Sequence, residues 1–197
     1  MGRSTRAKAD LNRMRILDAA TGLFRQHGVG AVTIADIMKA AGMTQGGFYK
    51  HFESKDALAV EACTAAFVRA VDAWKEKARK SADSGRSALR ELVEYCFADK
   101  SPERTCPMVA FSQETTGRAA DDELHKSYSE GVKRLYAAFA EVAQASGPPA
   151  MTDQQISMLF ASMVGANLLA RAIGKEAWTE NLMAFVLGAI DPSKPDS

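Results

Sequence analysis

Apolar residues recur along this chain at three- and four-residue spacing, and no stretch alternates polar and β-branched residues as a strand would. The pattern predicts an all-α protein of nine helices. Leu11, Ile16, Ala20, Leu23 and Phe24 approximate one face of a first helix, with Gly28 where a C-terminal glycine belongs. Thr33 with Asp36 has the form of a capping box opening a second helix through Ile34, Ile37 and Met38. Ala41-Gly42-Met43 is a short turn, after which Thr44 is placed to cap a third helix that ends at Phe52. Ser54 opens a fourth, with Asp56 in its first turn and a stripe of Val60, Cys63, Phe67, Val71 and Trp74. Beyond the linker SADSG at 81–85, Ala88, Leu89, Leu92, Val93, Cys96 and Phe97 mark a fifth. Pro107 suits the first position of a sixth, ending near Thr115. Leu124, Tyr128, Leu135, Phe139 and Val142 mark a long seventh, closed by SGPPA. Thr152 with Gln155 caps the eighth, and WTENLMAFVLGAI is the ninth.

This string divides into a small N-terminal domain over 1–53, a larger helical body over 54–190 and a tail at 191–197 expected to be disordered. Charge sharpens the division. The net charge of +1 over 197 residues hides nine bases against four acids in residues 1–55, and sixteen against twenty in the rest. A basic head on an acidic body points to a polyanion as the partner of the head. No apolar segment follows the basic start, which argues against a signal peptide. Three cysteines without a paired pattern fit a reducing cytoplasm. The longest apolar stretch, ISMLFASMVGANLLA, is interrupted by Ser157, Ser162 and Asn167 and is expected to fall short of a membrane span.

The chemistry of the head lies in TQGGFYKHFESKDAL at 44–58. Two short helices joined by a Gly-containing turn make a helix-turn-helix, whose second helix enters the major groove with its N-terminal residues at the bases. Gly46 and Gly47 each cost a helix interior about 0.8–1.0 kcal/mol relative to alanine, but they let backbone approach a partner closely. Gln45 is placed to read a base edge, adenine being its preferred partner. Thr44, Tyr49, Lys50, His51 and Lys55 offer donors to phosphates, and Thr33 with the start of helix two offers another grip. Phe48 and Phe52 are expected to anchor the short helix to its core.

TIADIMKAAGMTQGGFYKHFESKDAL closely resembles the DNA-binding signature of the TetR family of transcriptional regulators, over about residues 10–60. The resemblance implies a homodimer with a three-helix head and a six-helix body on each subunit. Helices eight and nine, about 152–173 and 177–190, would then pair with their copies. Phe160, Met163, Val164, Leu168, Phe185 and Val186 are suitably apolar there, and Gly165, Ala166 and Gly188 permit close approach. Two heads would read a pseudo-palindromic operator on double-stranded DNA, and a small-molecule effector in the body would release it. Repression is the commoner mode in the family.

Two readings of the signal stand side by side. RTCPMVAF at 104–111 puts Cys106 beside the cap of helix six, where the helix N-terminus, Arg104 and Lys100 are expected to lower its thiol pKa. The stretch resembles a Cys-Pro segment through which some TetR-type regulators sense electrophiles or oxidants. Cys63 and Cys96 sit on apolar stripes and read as small hydrophobes. The other reading is a non-covalent ligand in an apolar pocket. Trp74, Tyr95, Phe97, Met108, Phe111, Tyr128, Phe160 and Met163 are the candidate walls, with Gln113, His125 or Asn167 as polar contacts. Asn167 is the odd residue in an apolar helix and is expected to bond across the dimer or face the pocket.

Other classes find little support. There is no dinucleotide fingerprint, P-loop or G-x-S-x-G, and His27, His51 and His125 share no ligand spacing, so neither an enzyme nor a metal or other cofactor is expected. An architectural DNA-bending protein would suit the head but leaves the Met-rich body without a task.

Overall fold

The computed structural model describes residues 2–146, 151–174 and 176–190, with side chains from residue 6 onward and Ala82 excepted. Among the described residues the chain is all-helical, without a strand. Its α-helices are α1 (Gly2–His27), α2 (Ile34–Ala40), α3 (Lys55–Asp83), α4 (Ala88–Phe97), α5 (Pro107–Thr115), α6 (Glu123–Ser146), α7 (Asp153–Ile173) and α8 (Ala177–Gly188). Two 3-10 helices, Gln45–Lys50 and Pro102–Arg104, stand between them. Each of the nine expected helices is present, the third as a 3-10 helix rather than an α-helix. SGPPA beyond Ser146 and the tail 191–197 lie outside the described residues.

Local chemistry sets the ends. Thr33 and Asp36 form the capping box of α2, and Thr152 and Gln155 that of α7. The Ser54 hydroxyl accepts from the Ala57 N–H at 3.0 Å. Thr44 departs from expectation: its side chain caps nothing, because the segment it precedes winds as a 3-10 turn. Gly28 (φ +81°) closes α1 and Gly42 (φ +70°) makes the α2 turn, both in the left-handed region where a Cβ is strained.

The chain divides into two compact units. The first contains residues 1–68 and 100–131. Its core joins Ile16, Ala20 and Phe24 of α1, Ile37 and Met38 of α2, Phe48, Phe52 and Leu58, together with Phe67, Met108, Phe111 and Leu124. Gly131 is needed for packing, since a Cβ there would overlap the Phe67 ring. Leu11, expected on the buried face of α1, is 53% exposed, because among the described side chains of α1 burial begins only at Ile16.

The second unit contains residues 69–99 and 132–197. Trp74, Leu89, Leu92, Val93, Leu135, Phe139, Ile156, Leu159, Met163 and Val186 are buried in it. Phe139 meets Trp74 and Phe160 at ring-centroid distances of 6.3 and 5.4 Å. Glu91, buried, is paired with Lys77 at 2.6 Å and with Arg86. With its flanks included, α7 is 21 residues long and apolar enough to cross a membrane, contrary to the expectation from its core stretch. Most of that helix is not buried.

Candidate nucleic-acid interface

The 3-10 helix Gln45–Lys50 hangs from Phe48, which is fully buried and lies 5.9 Å from the ring of Phe52. Burying a phenylalanine contributes about 1.5–3 kcal/mol, so these two rings hold the segment down from beneath. The outer side carries Thr44, Gln45, Gly46, Tyr49 and Lys50, all exposed, with Tyr49 at 71%. His51 is half-buried.

Neither glycine of the pair is required from inside the protein. Neither has a positive φ. A Cβ on Gly46 would meet nothing within 4 Å, and one on Gly47 would meet the Met38 methyl at an ordinary 3.5 Å.

Two of the expected phosphate donors have partners within the protein. The Thr33 hydroxyl donates to the Asp36 carboxylate at 2.6 Å, and the Thr33 N–H donates to the same oxygen at 3.0 Å. These two bonds, the hydroxyl first, hold the Asp36 carboxyl below its ordinary pKa. A carboxylate therefore already sits where the start of α2 was expected to grip phosphate. The Lys55 ammonium donates to the Val29 and Val32 carbonyls at 3.0 and 3.1 Å and so ties down the α1–α2 loop. Sequence spacing carries no sign of that clamp, 23 and 26 residues long.

It also hid the tie on the outer part of α1. Arg13 bonds both Glu61 oxygens, at 2.6 and 2.7 Å, and its guanidinium lies 4.4 Å from the centre of the Phe52 ring. Further along α1, Arg25 donates to the Thr105 carbonyl and the Glu114 carboxylate accepts from the Val29 N–H at 2.8 Å.

Cys106 is the N-cap of α5 with Pro107 after it, as expected. Its thiol pKa moves the other way from expectation. Burial pushes it up, outweighing the N–H groups of Val109 and Met108 and the charges of Lys100 and Arg25. Burial also lifts Cys63, to about 11, and Tyr128, to about 12. Cys63, Cys96 and Cys106 form no disulfide.

The expected pocket residues divide between the two units. In the first, Met108 and Phe111 are core, and the Tyr128 hydroxyl donates to the Met108 carbonyl at 2.9 Å. Gln113 is exposed, and His125 is half-buried with Nδ1 lacking a hydrogen-bond partner. In the second, Trp74 and Met163 are core, Tyr95 and Phe97 are half-buried, and Phe160 packs against Tyr136 at 5.3 Å. Asn167 donates to the Cys96 carbonyl at 2.7 Å within its own chain, while its buried Oδ1 has no partner. Of the expected interface residues, Leu168 and Phe185 are exposed, Val164 is half-buried and Val186 is core. Val186 faces inward because α8 packs on α4 and α7 with that side.

Residues 16–62 match the family model for bacterial regulatory proteins, tetR family. The head of this chain is a TetR-family domain. The transcriptional regulator AcrR of Shigella flexneri is 45% identical over 58 residues, 29% of this chain and 27% of that protein. The repressor KstR2 of Rhodococcus jostii is 35% identical over 81 residues, 41% and 39% of the two chains. The alignable segment thus spans about a quarter to two-fifths of these relatives. Over the whole chain the likeness is one of fold. A TetR-family regulator from Cytophaga hutchinsonii superposes with a TM-score of 0.73 at 21% identity, over 96% of this chain and 98% of that one. Reduced Escherichia coli NemR does so at 0.71 and 21%, over 91% and 97%. The TetR fold, a helix-turn-helix head with a helical body, therefore extends over the chain.

Proposed function

We propose that this protein is a sequence-specific transcriptional repressor, a cytoplasmic homodimer that leaves its pseudo-palindromic operator when a small molecule binds the body. The observation that carries the DNA reading is the glycine pair, Gly46 exposed and Gly47 half-buried, which neither backbone angle nor internal packing demands. Glycine there lets the backbone of 45–47 approach a duplex, with Gln45 at a base edge and Tyr49, Lys50 and His51 toward phosphates. The relatives of the head are named as transcriptional regulators and repressors, which supports regulation over an architectural or enzymatic role. Residues 1–53 act as the reading head and 54–190 as the effector-binding and dimerising body.

Dimerisation through α7 and α8 is supported by their exposed apolar surface: Met158, Leu168, Leu169, Ile173, Trp178 and Phe185. The effector is taken non-covalently, and the buried unpartnered Asn167 Oδ1 is suited to accept a hydrogen bond from it. Covalent sensing through Cys106 is the second reading. The cationic surroundings of its thiol favour it, while burial opposes it.

The test is fluorescence anisotropy with DNA from upstream of the protein's own gene and a scrambled duplex. A regulator should prefer its site by roughly 10³-fold or more. Equal affinity for both would remove the reading. Cys106→Ser, compared with wild type before and after a mild electrophile, separates the two signals: only a covalent sensor loses its response with the thiol.

A further inference from the structure

The outer part of α1 is not explained by the fold. None of residues 6–15 is buried, yet they continue the helix well past the three-helix core. Arg13 fixes how this segment is turned, because its bonds to Glu61 and its stacking on Phe52 hold one edge of the helix against α3. At about 100° per residue, Arg15 and Lys8 fall on the opposite edge, within roughly 20° of one another. Arg15 lies over the helix-turn-helix itself: a Cβ built on Gly42 would sit 3.0 Å from its guanidinium. Asp10, together with Arg6, falls on the Arg13 side, so the stretch of the Arg15 edge from residue 6 to residue 15 carries no acid.

We propose that Lys8 and Arg15 form a second DNA-contact edge, gripping the phosphate backbone beside the segment read by Gln45–Lys50. The inference rests on the DNA-binding reading above. Seven residues of helix place the two cations roughly 10 Å apart along the axis, a span of about three base pairs. Such an edge carries no sequence information and adds affinity to any duplex. It gives the protein a footprint wider than the helix-turn-helix alone.

The experiment measures the salt dependence of DNA binding for the full chain, on the upstream duplex and on the scrambled one. Wild type is compared with Lys8→Glu and Arg6→Glu, two exposed substitutions with the same change in net charge, each checked for folding by circular dichroism. Lys8→Glu should lower the slope of log K against log salt by about 0.9 per bound subunit and weaken both duplexes by the same factor. Arg6→Glu, on the other edge, should leave the slope within a few tenths of wild type. Equal effects of the two variants would reduce the result to net charge and overturn the edge. An unchanged slope in Lys8→Glu with intact wild-type binding overturns it as well. If wild type binds both duplexes alike, operator specificity falls while the slopes still decide the edge. Binding to neither duplex at low salt overturns both readings.

Discussion

Lys55 offers the sharpest separation between what spacing suggests and what the fold does with a charge. Its place after the helix-turn-helix points to a phosphate, whereas its ammonium holds the Val29 and Val32 carbonyls. Lys55→Met keeps the length of the stem and removes both bonds. A hydrogen bond to a charged group contributes about 1.5–3 kcal/mol net. Lys55 is half-exposed and water can reach part of the site, so the pair is worth about 1–3 kcal/mol in total. In a chain of this size that lowers the melting temperature by about 3–9 °C. The assay is urea denaturation at fixed protein concentration, paired with the salt slope of DNA binding below the transition. The clamp requires a lower midpoint with a slope within about 0.3 of wild type. An unchanged midpoint together with a slope reduced by about 0.9 would refute the clamp and restore the phosphate role.

Other substitutions probe the remaining features. Gly46→Ala should leave the unfolding free energy within about 0.5 kcal/mol of wild type, since its Cβ meets nothing, while weakening operator binding at least several-fold in anisotropy. Gly131→Ala puts a methyl into the Phe67 ring, and an overpacking cost of about 1–3 kcal/mol should outweigh a helix-propensity gain of up to about 1 kcal/mol; a rise in stability would contradict that packing. Phe185, 75% exposed, should yield a monomer in sedimentation when replaced by glutamate, and a persistent dimer would place the interface elsewhere. Cys106 should alkylate with iodoacetamide at pH 8 more slowly than an unstructured peptide thiol, because its raised pKa keeps it protonated; peptide mapping by mass spectrometry resolves it from Cys63 and Cys96.

Features written in short-range chemistry were legible in the chain. The capping boxes at Thr33 and Thr152 need only three residues, and Phe48 and Phe52 announced their burial by sharing one face of a short segment. Features set by distant partners were not. Arg13 reaches 48 residues along the chain to Glu61, and the acceptors of Lys55 become neighbours only when α1 and α2 fold together. For Cys106 the spacing gave the cap but not the sign of the pKa. A helix end changes the charged form by about a kcal/mol or less, and burial, which no spacing reveals, acts more strongly. From Leu182 to Gly188 no position of α8 is polar, so periodicity could not tell the buried Val186 from the exposed Phe185.

In the proposed DNA-reading role, the 3-10 winding of Gln45–Lys50 would make the segment an adjustable gauge rather than a fixed probe. A 3-10 turn rises about 2.0 Å per residue against 1.5 Å in an α-helix, so six residues store roughly 3 Å of length. Rewinding to α would swing Gln45 by about 60° relative to Phe48, which the core holds still. The free chain holds the 3-10 form, so rewinding costs free energy, and a duplex that requires it gains the base contact less that cost. Discrimination at the base proposed to lie under Gln45 should therefore fall below the ~1–3 kcal/mol of a single bidentate contact, and a rigid segment would show the full value in a series of one-base operator variants.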